Sequence, residues 1–187
     1  ATAETDIIEP EEYTKPAGSP RDLDRAARLL ADARRPAIIA GGGTIASGAS
    51  RELMELAEYV QAPVMTTQQA KGIVPEEHYL AVGINYTVLG PAHRIVPESD
   101  VVLAVGTRFL VTGLDISESQ KVIHIDIDPK EIGRHYPTEV GIEADAREGI
   151  AQLLQRVRVL GPAKESRRHE IEGHKAAFAG EIHGRGP

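Results

Sequence analysis

The sequence predicts an α/β domain of the doubly wound type over residues 21–160, with helices covering both faces of a parallel sheet. Three observations predict it. Apolar runs such as AIIA and VVLAV are typical of strands that are buried on both faces. These runs alternate with segments of helical periodicity, as in folds built from βαβ units. The first run enters three glycines and then a helix, which completes a βαβ unit within about thirty residues.

The first helix is predicted to follow a linker. Residues 1–20 contain three prolines and many acids but no sustained apolar period, which is typical of a linker. From Asp22 onward apolar residues recur at helical spacing, and Ser19 or Asp22 is the expected N-cap. Pro36 then precedes the first predicted strand, AIIA.

Three elements are predicted between the glycines and the middle of the chain. SRELMELAEYV places its apolar residues on one face, which predicts a helix with Ser50 as its N-cap. APVMTT, at residues 62–67, predicts the second strand. A helix is also expected over 86–96, although Pro91 interrupts it.

The second half of the domain is predicted to contain three strands and a closing helix. SDVVLAVGT predicts a strand that ends at Gly106, and KVIHIDID predicts another that Pro129 stops. PKEIGR predicts one helical turn, because proline suits the first position of a helix. VGIEAD predicts the last strand, and AREGIAQLLQRVRVL predicts an amphipathic helix capped by Asp145. Residues 161–187 predict a tail or outgoing linker, with a helix near 165–179.

Composition excludes several classes of function. The formal net charge of −7 disfavours nonspecific contact with nucleic acid or anionic membranes. The absence of cysteine excludes disulfides, thiolate zinc sites and cysteine nucleophiles, and it favours a reducing, cytoplasmic compartment. No apolar run approaches the ~20 residues of a membrane helix, so no membrane contact is expected.

The glycine turn carries a candidate nucleotide-binding motif. Gly41, Gly43 and Ala46 fit the spacing G-x-G-x-x-A directly after a strand and before a helix. Glycine lets a pyrophosphate lie against the backbone and leaves helix N–H groups aimed at its oxygens. A plain tight turn without a ligand explains the same three residues equally well.

The end of the second predicted strand argues against an ordinary NAD dehydrogenase. Such enzymes carry an acid there to bind the ribose, whereas this sequence has the neutral residues Thr66, Thr67, Gln68 and Gln69. Hydroxyl and amide groups can still bind a ribose or a phosphate.

Further candidate residues follow the later strands, at the edge where open parallel sheets bind ligands. Gly106, Thr107 and Arg108 end one strand, and Arg108 could bind a phosphate or pair with a nearby acid. Asp126 could accept hydrogen bonds from ribose hydroxyls, or it could cap the following turn together with Asp128.

Asp145 follows the last strand, and helix capping is the stronger interpretation there. His124 is expected to be a hydrogen-bonded structural histidine. The sequence contains no H-E-x-x-H pair, no G-x-S-x-G elbow and no G-x-x-x-x-G-K-[ST] loop, so no catalytic set is predicted.

Four segments together resemble a known family: RPAIIAGGG, APVMTTQQAKGIVPEEH, SDVVLAVGTRF and VIHIDIDPKEIGRHYPTEVGIEADAR. They resemble the central domain of thiamine-diphosphate-dependent enzymes of the acetohydroxyacid synthase type. That superfamily includes oxalyl-CoA decarboxylase, sulfoacetaldehyde acetyltransferase, glyoxylate carboligase and benzaldehyde lyase. The resemblance covers residues 20–160 and implies a three-layer, six-stranded, Rossmann-like sheet.

The resemblance also implies a parent enzyme that decarboxylates a 2-keto acid or ligates the resulting enamine. Two flanking domains would bind thiamine diphosphate and Mg²⁺, and the parent would form a homo-oligomer. This sequence has no G-D-G followed by an asparagine for that metal site. The chain is therefore expected to be the middle of a larger enzyme and to catalyse nothing alone.

The central domain binds FAD in the synthase subgroup and ADP in the oxalyl-CoA subgroup, and coenzyme A is a third candidate. The resemblance implies cofactor-binding roles at the matching positions Gly41, Gly42, Gly43, Thr67, Gln68, Gly106, Thr107, Arg108, Asp126, Ile127 and Asp145.

Two departures from the synthase pattern favour an ADP-type or vestigial site over FAD. Leu110 and Val111 follow the GTRF segment, and Ile84 and Asn85 stand where the synthases have G-M-H-G. A free-standing nucleotide-binding module is the alternative, whereas the lack of cysteine disfavours a sirtuin-like deacylase.

Overall fold

A computed structural model describes residues 14–84, 90–109 and 116–183. Six parallel strands form one sheet in the order β3-β2-β1-β4-β5-β6, which confirms the predicted doubly wound, Rossmann-like fold. The strands are β1 (Pro36–Ala40), β2 (Val64–Thr66), β3 (Ala81–Ile84), β4 (Val101–Val105), β5 (Lys121–Asp126) and β6 (Val140–Glu143).

Helices flank the sheet and cover its centre. They are α1 (Pro20–Asp32), α2 (Gly42–Ala46), α3 (Ser50–Val60), α4 (Ala92–Ile95), α5 (Ala146–Leu160) and α6 (Arg168–His183), with a 3-10 turn at Gln68–Ala70. Helix α5 contacts both α1 and α3. Every residue of β1 and β4 is buried, which explains why their sequences are apolar runs without alternation. No helix in the described ranges is long and apolar enough to cross a membrane.

Three local features differ from the residue-level predictions. Strand β3 was not predicted, because it is a short edge strand in which Val82 alone is buried. The helix expected over 86–96 is the single turn α4, and residues 85–89 lie outside the described part of the chain. PKEIGR forms hydrogen-bonded turns rather than a helical turn, with the Glu131 N–H donating to the Asp128 carbonyl at 3.1 Å.

The N-caps also differ in part. Helix α3 begins at Ser50, whose hydroxyl donates to the Ile73 carbonyl at 2.6 Å instead of capping the helix. Ser19 occupies the N-cap position of α1 without a side-chain cap bond. Asp145 caps α5 as predicted, accepting from the N–H groups of Arg147 and Glu148.

Both segments outside residues 21–160 contact the domain. The Asp145 N–H donates to the Pro16 carbonyl at 2.8 Å, and Ala17 forms an antiparallel bridge with Ala144. At the other end, Ile171 of α6 is fully buried in the core. The linker and tail boundaries at 20 and 160 remain predictions.

Candidate functional site

A cavity of about 700 Å³ lies at the carboxyl edge of the sheet. Its volume lies within the range of small-molecule sites, roughly 300–1,000 Å³. The cavity adjoins β1, which lies between β2 and β4. The order of the strands reverses at this point of the sheet, and open α/β sheets bind ligands at such points. The lining residues are Lys15, Gly42, Gly43, Ala46, Ser47, Thr67, Gln68, Gln69, Gly106, Thr107, Arg108, Asp126, Ile127, Asp145 and Ala146.

The structure brings the predicted site residues together around this one cavity. Every predicted site residue except Gly41 lines it. Sequence reasoning named Ala46 and Gln69 in its motifs without listing them as binding residues, and it missed Ser47 and Ala146, the first residue of α5. It also missed Lys15, because that residue lies in a segment predicted to be a linker and no local pattern marks it.

The three glycines of the β1–α2 turn have different surroundings. A Cβ atom on Gly41 would lie 2.6 Å from Thr107 Cα, and one on Gly43 would lie 2.8 Å from Gly106 Cα. These two glycines therefore make room for the backbone that follows β4. A Cβ on Gly42 would meet only the Gln69 side chain, 3.0 Å from its Cβ, so Gly42 lines the cavity, as Gly43 does, but is not needed for the close approach of the backbone.

Two polar groups at this edge lack partners in the described ranges. The Gly42 N–H, the first of α2, donates to none of the residues described. The Thr67 hydroxyl oxygen, beside the cavity, is buried without a hydrogen-bond partner. Buried polar groups are nearly always hydrogen-bonded, so an unpaired hydroxyl calls for an explanation.

The segment after β4 is held in place by its neighbours and exposes one side chain. The Gly106 carbonyl accepts from the Gly43 N–H at 2.9 Å, and the Gly106 N–H donates to the Ile125 carbonyl at 2.8 Å. Gly106 has φ +56°, a left-handed conformation that favours glycine. Arg108 is exposed, and within the part of the chain that the structure describes no acid pairs with its guanidinium.

At the end of β5, Asp126 and Asp128 have separate roles. The Asp126 carboxylate accepts from the Asp128 N–H at 3.0 Å, and the Asp128 carboxylate accepts from the Lys130 N–H at 3.0 Å. Asp128 therefore orders the following turn, while Asp126 lines the cavity and is 8% exposed. Ile127 is 40% exposed and gives the cavity an apolar wall.

Asp145 combines a capping role with an ion pair. One carboxylate oxygen accepts from the Arg147 N–H at 3.0 Å, and the other lies 2.9 Å from the Lys15 ammonium. Burial alone would raise the pKa of Asp145. The hydrogen bonds from Lys15, Glu148 and Arg147 outweigh it, so the pKa lies below its ordinary value and the carboxylate stays ionised.

His124 has the predicted structural role. It is 1% exposed, its Nε2 lies 2.8 Å from the Thr107 carbonyl, and its Nδ1 accepts from the Gly133 N–H at 3.4 Å. Burial lowers the pKa of His124 below its ordinary value, against the opposing effects of Thr107, Asp126 and Glu131.

A second cluster, away from the cavity, contains side chains that could bind a metal ion, but its carboxylates already pair with arginines. The ligand atoms of Glu98, Glu170 and His174 all lie within 4.8 Å of one another. Arg35 pairs with both glutamates, at 3.0 and 2.9 Å, and Arg167 also pairs with Glu170. The cluster is therefore an ion-pair network that holds α6 beside the amino end of β1.

Comparison with known proteins defines the class to which this fold and cavity belong. Residues 23–153 match the family described as "Thiamine pyrophosphate enzyme, central domain". The chain belongs to this family, which confirms the resemblance noted in the sequence.

Individual relatives are similar over most of this chain but over little of their own length. A probable acetolactate synthase large subunit of Methanocaldococcus jannaschii is 46% identical over 146 residues, which are 75% of this chain and 24% of that protein. Glyoxylate carboligase of Escherichia coli is 36% identical over 158 residues, 80% of this chain and 26% of that protein. The chain thus spans about a quarter of the length of these relatives.

A solved structure supports the fold. Benzoylformate decarboxylase from Polynucleobacter necessarius superposes with a TM-score of 0.69 over 88% of this chain and 31% of that chain. Because only 19% of residues are identical, this likeness concerns the fold alone.

Proposed function

We propose that this central domain belongs to a thiamine-diphosphate-dependent enzyme that decarboxylates a 2-keto acid or ligates the product, in the manner of acetolactate synthase. We further propose that its cavity binds the ADP portion of a nucleotide and that the chain catalyses nothing alone. The observation that carries the nucleotide proposal is the convergence of Gly42, Arg108 and Asp126 on one cavity.

The order of the strands suits an extended nucleotide. Residues after β1, β4 and β5 line the cavity in sequence, and neighbouring strands are about 4.8 Å apart. A diphosphate would lie against the bare backbone of Gly42 and the guanidinium of Arg108. The carboxylate of Asp126, two strands away from β1, would accept hydrogen bonds from ribose hydroxyls. The buried Thr67 hydroxyl would gain a partner.

The carboxylates of the cavity do not fit a Mg²⁺–diphosphate centre. Asp145 already binds two backbone N–H groups and Lys15, and the other carboxylate among the described lining residues, Asp126, is the one proposed to bind the ribose. We therefore assign thiamine diphosphate, which supplies the carbanion chemistry when bound, and Mg²⁺ to flanking domains of a homo-oligomeric, cytoplasmic parent. Sequencing the gene outward tests this: a G-D-G motif with a downstream asparagine supports it, and stop codons at both ends favour a free-standing module.

The choice of ADP over FAD or coenzyme A rests on the sequence. The departures at Asn85, Leu110 and Val111 fall outside the described residues.

Calorimetry on the 187-residue chain tests the nucleotide site. Titration with ADP, FAD, coenzyme A and NAD should give binding of ADP, and Arg108→Met should weaken it tenfold or more, because a charge-assisted hydrogen bond contributes roughly 1.5–3 kcal/mol. Arg168→Met is the matched control, since the exposed Arg168 pairs with Glu172 and does not line the cavity. Absence of ADP binding to the unmodified chain would contradict the proposal.

A further inference from the structure

We propose that His124 is a positioning residue of this cavity: its Nε2–H holds the Thr107 carbonyl and thereby aims Arg108 at the ligand. The inference rests on the proposed nucleotide site, since it assigns a role to a residue that does not line the cavity.

The contacts of His124 fix one form of its ring. The Gly133 N–H can only donate, so Nδ1, 3.4 Å away, must be the unprotonated acceptor. Nε2 then carries the hydrogen, and it donates to the Thr107 carbonyl at 2.8 Å. A neutral imidazole with its hydrogen on Nε2 is the one form that satisfies both contacts.

The segment that His124 holds is fixed on both sides of Arg108. The Phe109 N–H donates to the Thr107 hydroxyl at 3.0 Å, and Phe109 has φ +56°, which is rare for a bulky residue. The buried Phe109 ring meets the His124 ring edge-on, with centroids 5.8 Å apart. Conformations of this kind persist where the surroundings enforce them, often at binding sites. Thr107 and Phe109 are buried, so the exposed Arg108 has its backbone direction set by two anchored neighbours.

Protonation of His124 would oppose this arrangement. The added hydrogen on Nδ1 would face the Gly133 N–H, placing two donors against each other. The acids that face His124 are Asp126 on the same strand and Glu131 in the following turn, and both favour the charged ring. Burial outweighs these acids and the Thr107 contact, so the ring is neutral near pH 7; protonation at lower pH would oppose the Gly133 contact and leave the Nε2–H bond to Thr107 in place.

Two substitutions separate the two ring nitrogens. The amide of His124→Gln can donate from the position of Nε2, whereas His124→Asn keeps an acceptor near Nδ1 and loses the donor to Thr107. We expect ADP to bind His124→Asn about tenfold more weakly and His124→Gln within about threefold of the unmodified chain. In combination with Arg108→Met, His124→Asn should cause no further loss, because it acts through Arg108.

The double variant decides whether His124 acts through Arg108. Additive losses of ADP affinity in His124→Asn combined with Arg108→Met would overturn the proposal.

A ligand-free measurement separates this inference from the nucleotide proposal. In ¹⁵N NMR spectra, His124→Asn should shift the amide signals of residues 106–109, and His124→Gln should largely preserve them. If ADP does not bind, the proposed function fails, while these spectra still decide whether His124 holds the segment. Unchanged signals in a folded His124→Asn would refute its positioning role.

Discussion

At the residue scale, the triple glycine is the clearest case of one motif with two physical causes. Gly41 and Gly43 lie against the backbone of residues 106 and 107, so any side chain there would collide with the protein itself. Gly42 lines the cavity, and a Cβ atom there would meet only the side chain of Gln69, at its Cβ. The spacing G-x-G-x-x-A alone does not reveal this difference, since it depends on the segment that follows β4.

This difference predicts opposite phenotypes. Gly41→Ala should lower the free energy of unfolding by about 2 kcal/mol or more, because overpacking against rigid backbone is costly. Gly42→Val should cost less unfolding free energy than Gly41→Ala, because its new Cβ would meet one side-chain atom, the Gln69 Cβ at 3.0 Å, rather than the backbone. The same Gly42→Val substitution should abolish ADP binding by covering the backbone. A Gly42→Val chain that binds ADP normally would show that the glycines form only a turn.

At the scale of the element, α5 depends on one buried carboxylate at its first turn. Asp145 accepts two backbone N–H groups that no intrahelical carbonyl can satisfy. It also pairs with Lys15, and this ion pair attaches the segment before α1 to the junction between β6 and α5. The sequence predicted the cap from its local pattern, whereas the ion pair depends on a segment distant in the chain.

Two substitutions at Asp145 separate these roles. Asp145→Ala should cost about 1–2 kcal/mol of unfolding free energy, while Asp145→Asn should cost less, because asparagine caps as well as aspartate. The pKa of Asp145 is lower in the folded chain than its unfolded value near 3.9. The contribution of the Asp145 carboxylate to the free energy of unfolding is therefore complete above about pH 4 and is lost as pH falls through the pKa of the folded chain. The free energy of unfolding in urea, measured from pH 7 to pH 2, should show this loss. The Asp145→Asn variant should lack the part of the pH dependence that comes from Asp145.

At the scale of the whole molecule, helix α6 contributes a side chain to the same core as the sheet. Ile171 of α6 is fully buried. The Arg167 guanidinium contacts the Pro36 carbonyl at the amino end of β1, at 3.3 Å. The Arg167 contact places the start of α6 at the amino end of β1, whereas the cavity lies at the carboxyl edge of the sheet.

Removal of the buried α6 side chain should therefore destabilise the whole domain. Ile171→Ala should lower the unfolding free energy by about 2–4 kcal/mol in a single cooperative transition. Glu172→Ala is the control, because Glu172 is exposed and pairs only with Arg168, one helical turn away, among the residues described; its cost should be below about 0.5 kcal/mol. Equal stability of both variants would mean that α6 is not part of the cooperative unit.

The sequence by itself determined the class of fold, the order of most elements and the positions of the candidate binding residues. These features are local signals: apolar runs, helical periodicity and the residues that end strands. Each is recognised from residues that are close together in the chain. Strand β3 escaped this reasoning, because a short edge strand buries too few side chains to leave a pattern.

Only the tertiary structure decided which residues meet. It placed Lys15 beside Asp145, Gly41 against residues 106 and 107, and His124 beneath the Thr107 carbonyl. Each contact joins segments that are separate in the chain but adjacent in the sheet. Strand order follows from burying apolar surface across the whole molecule, and no local pattern records which strand ends that burial brings together.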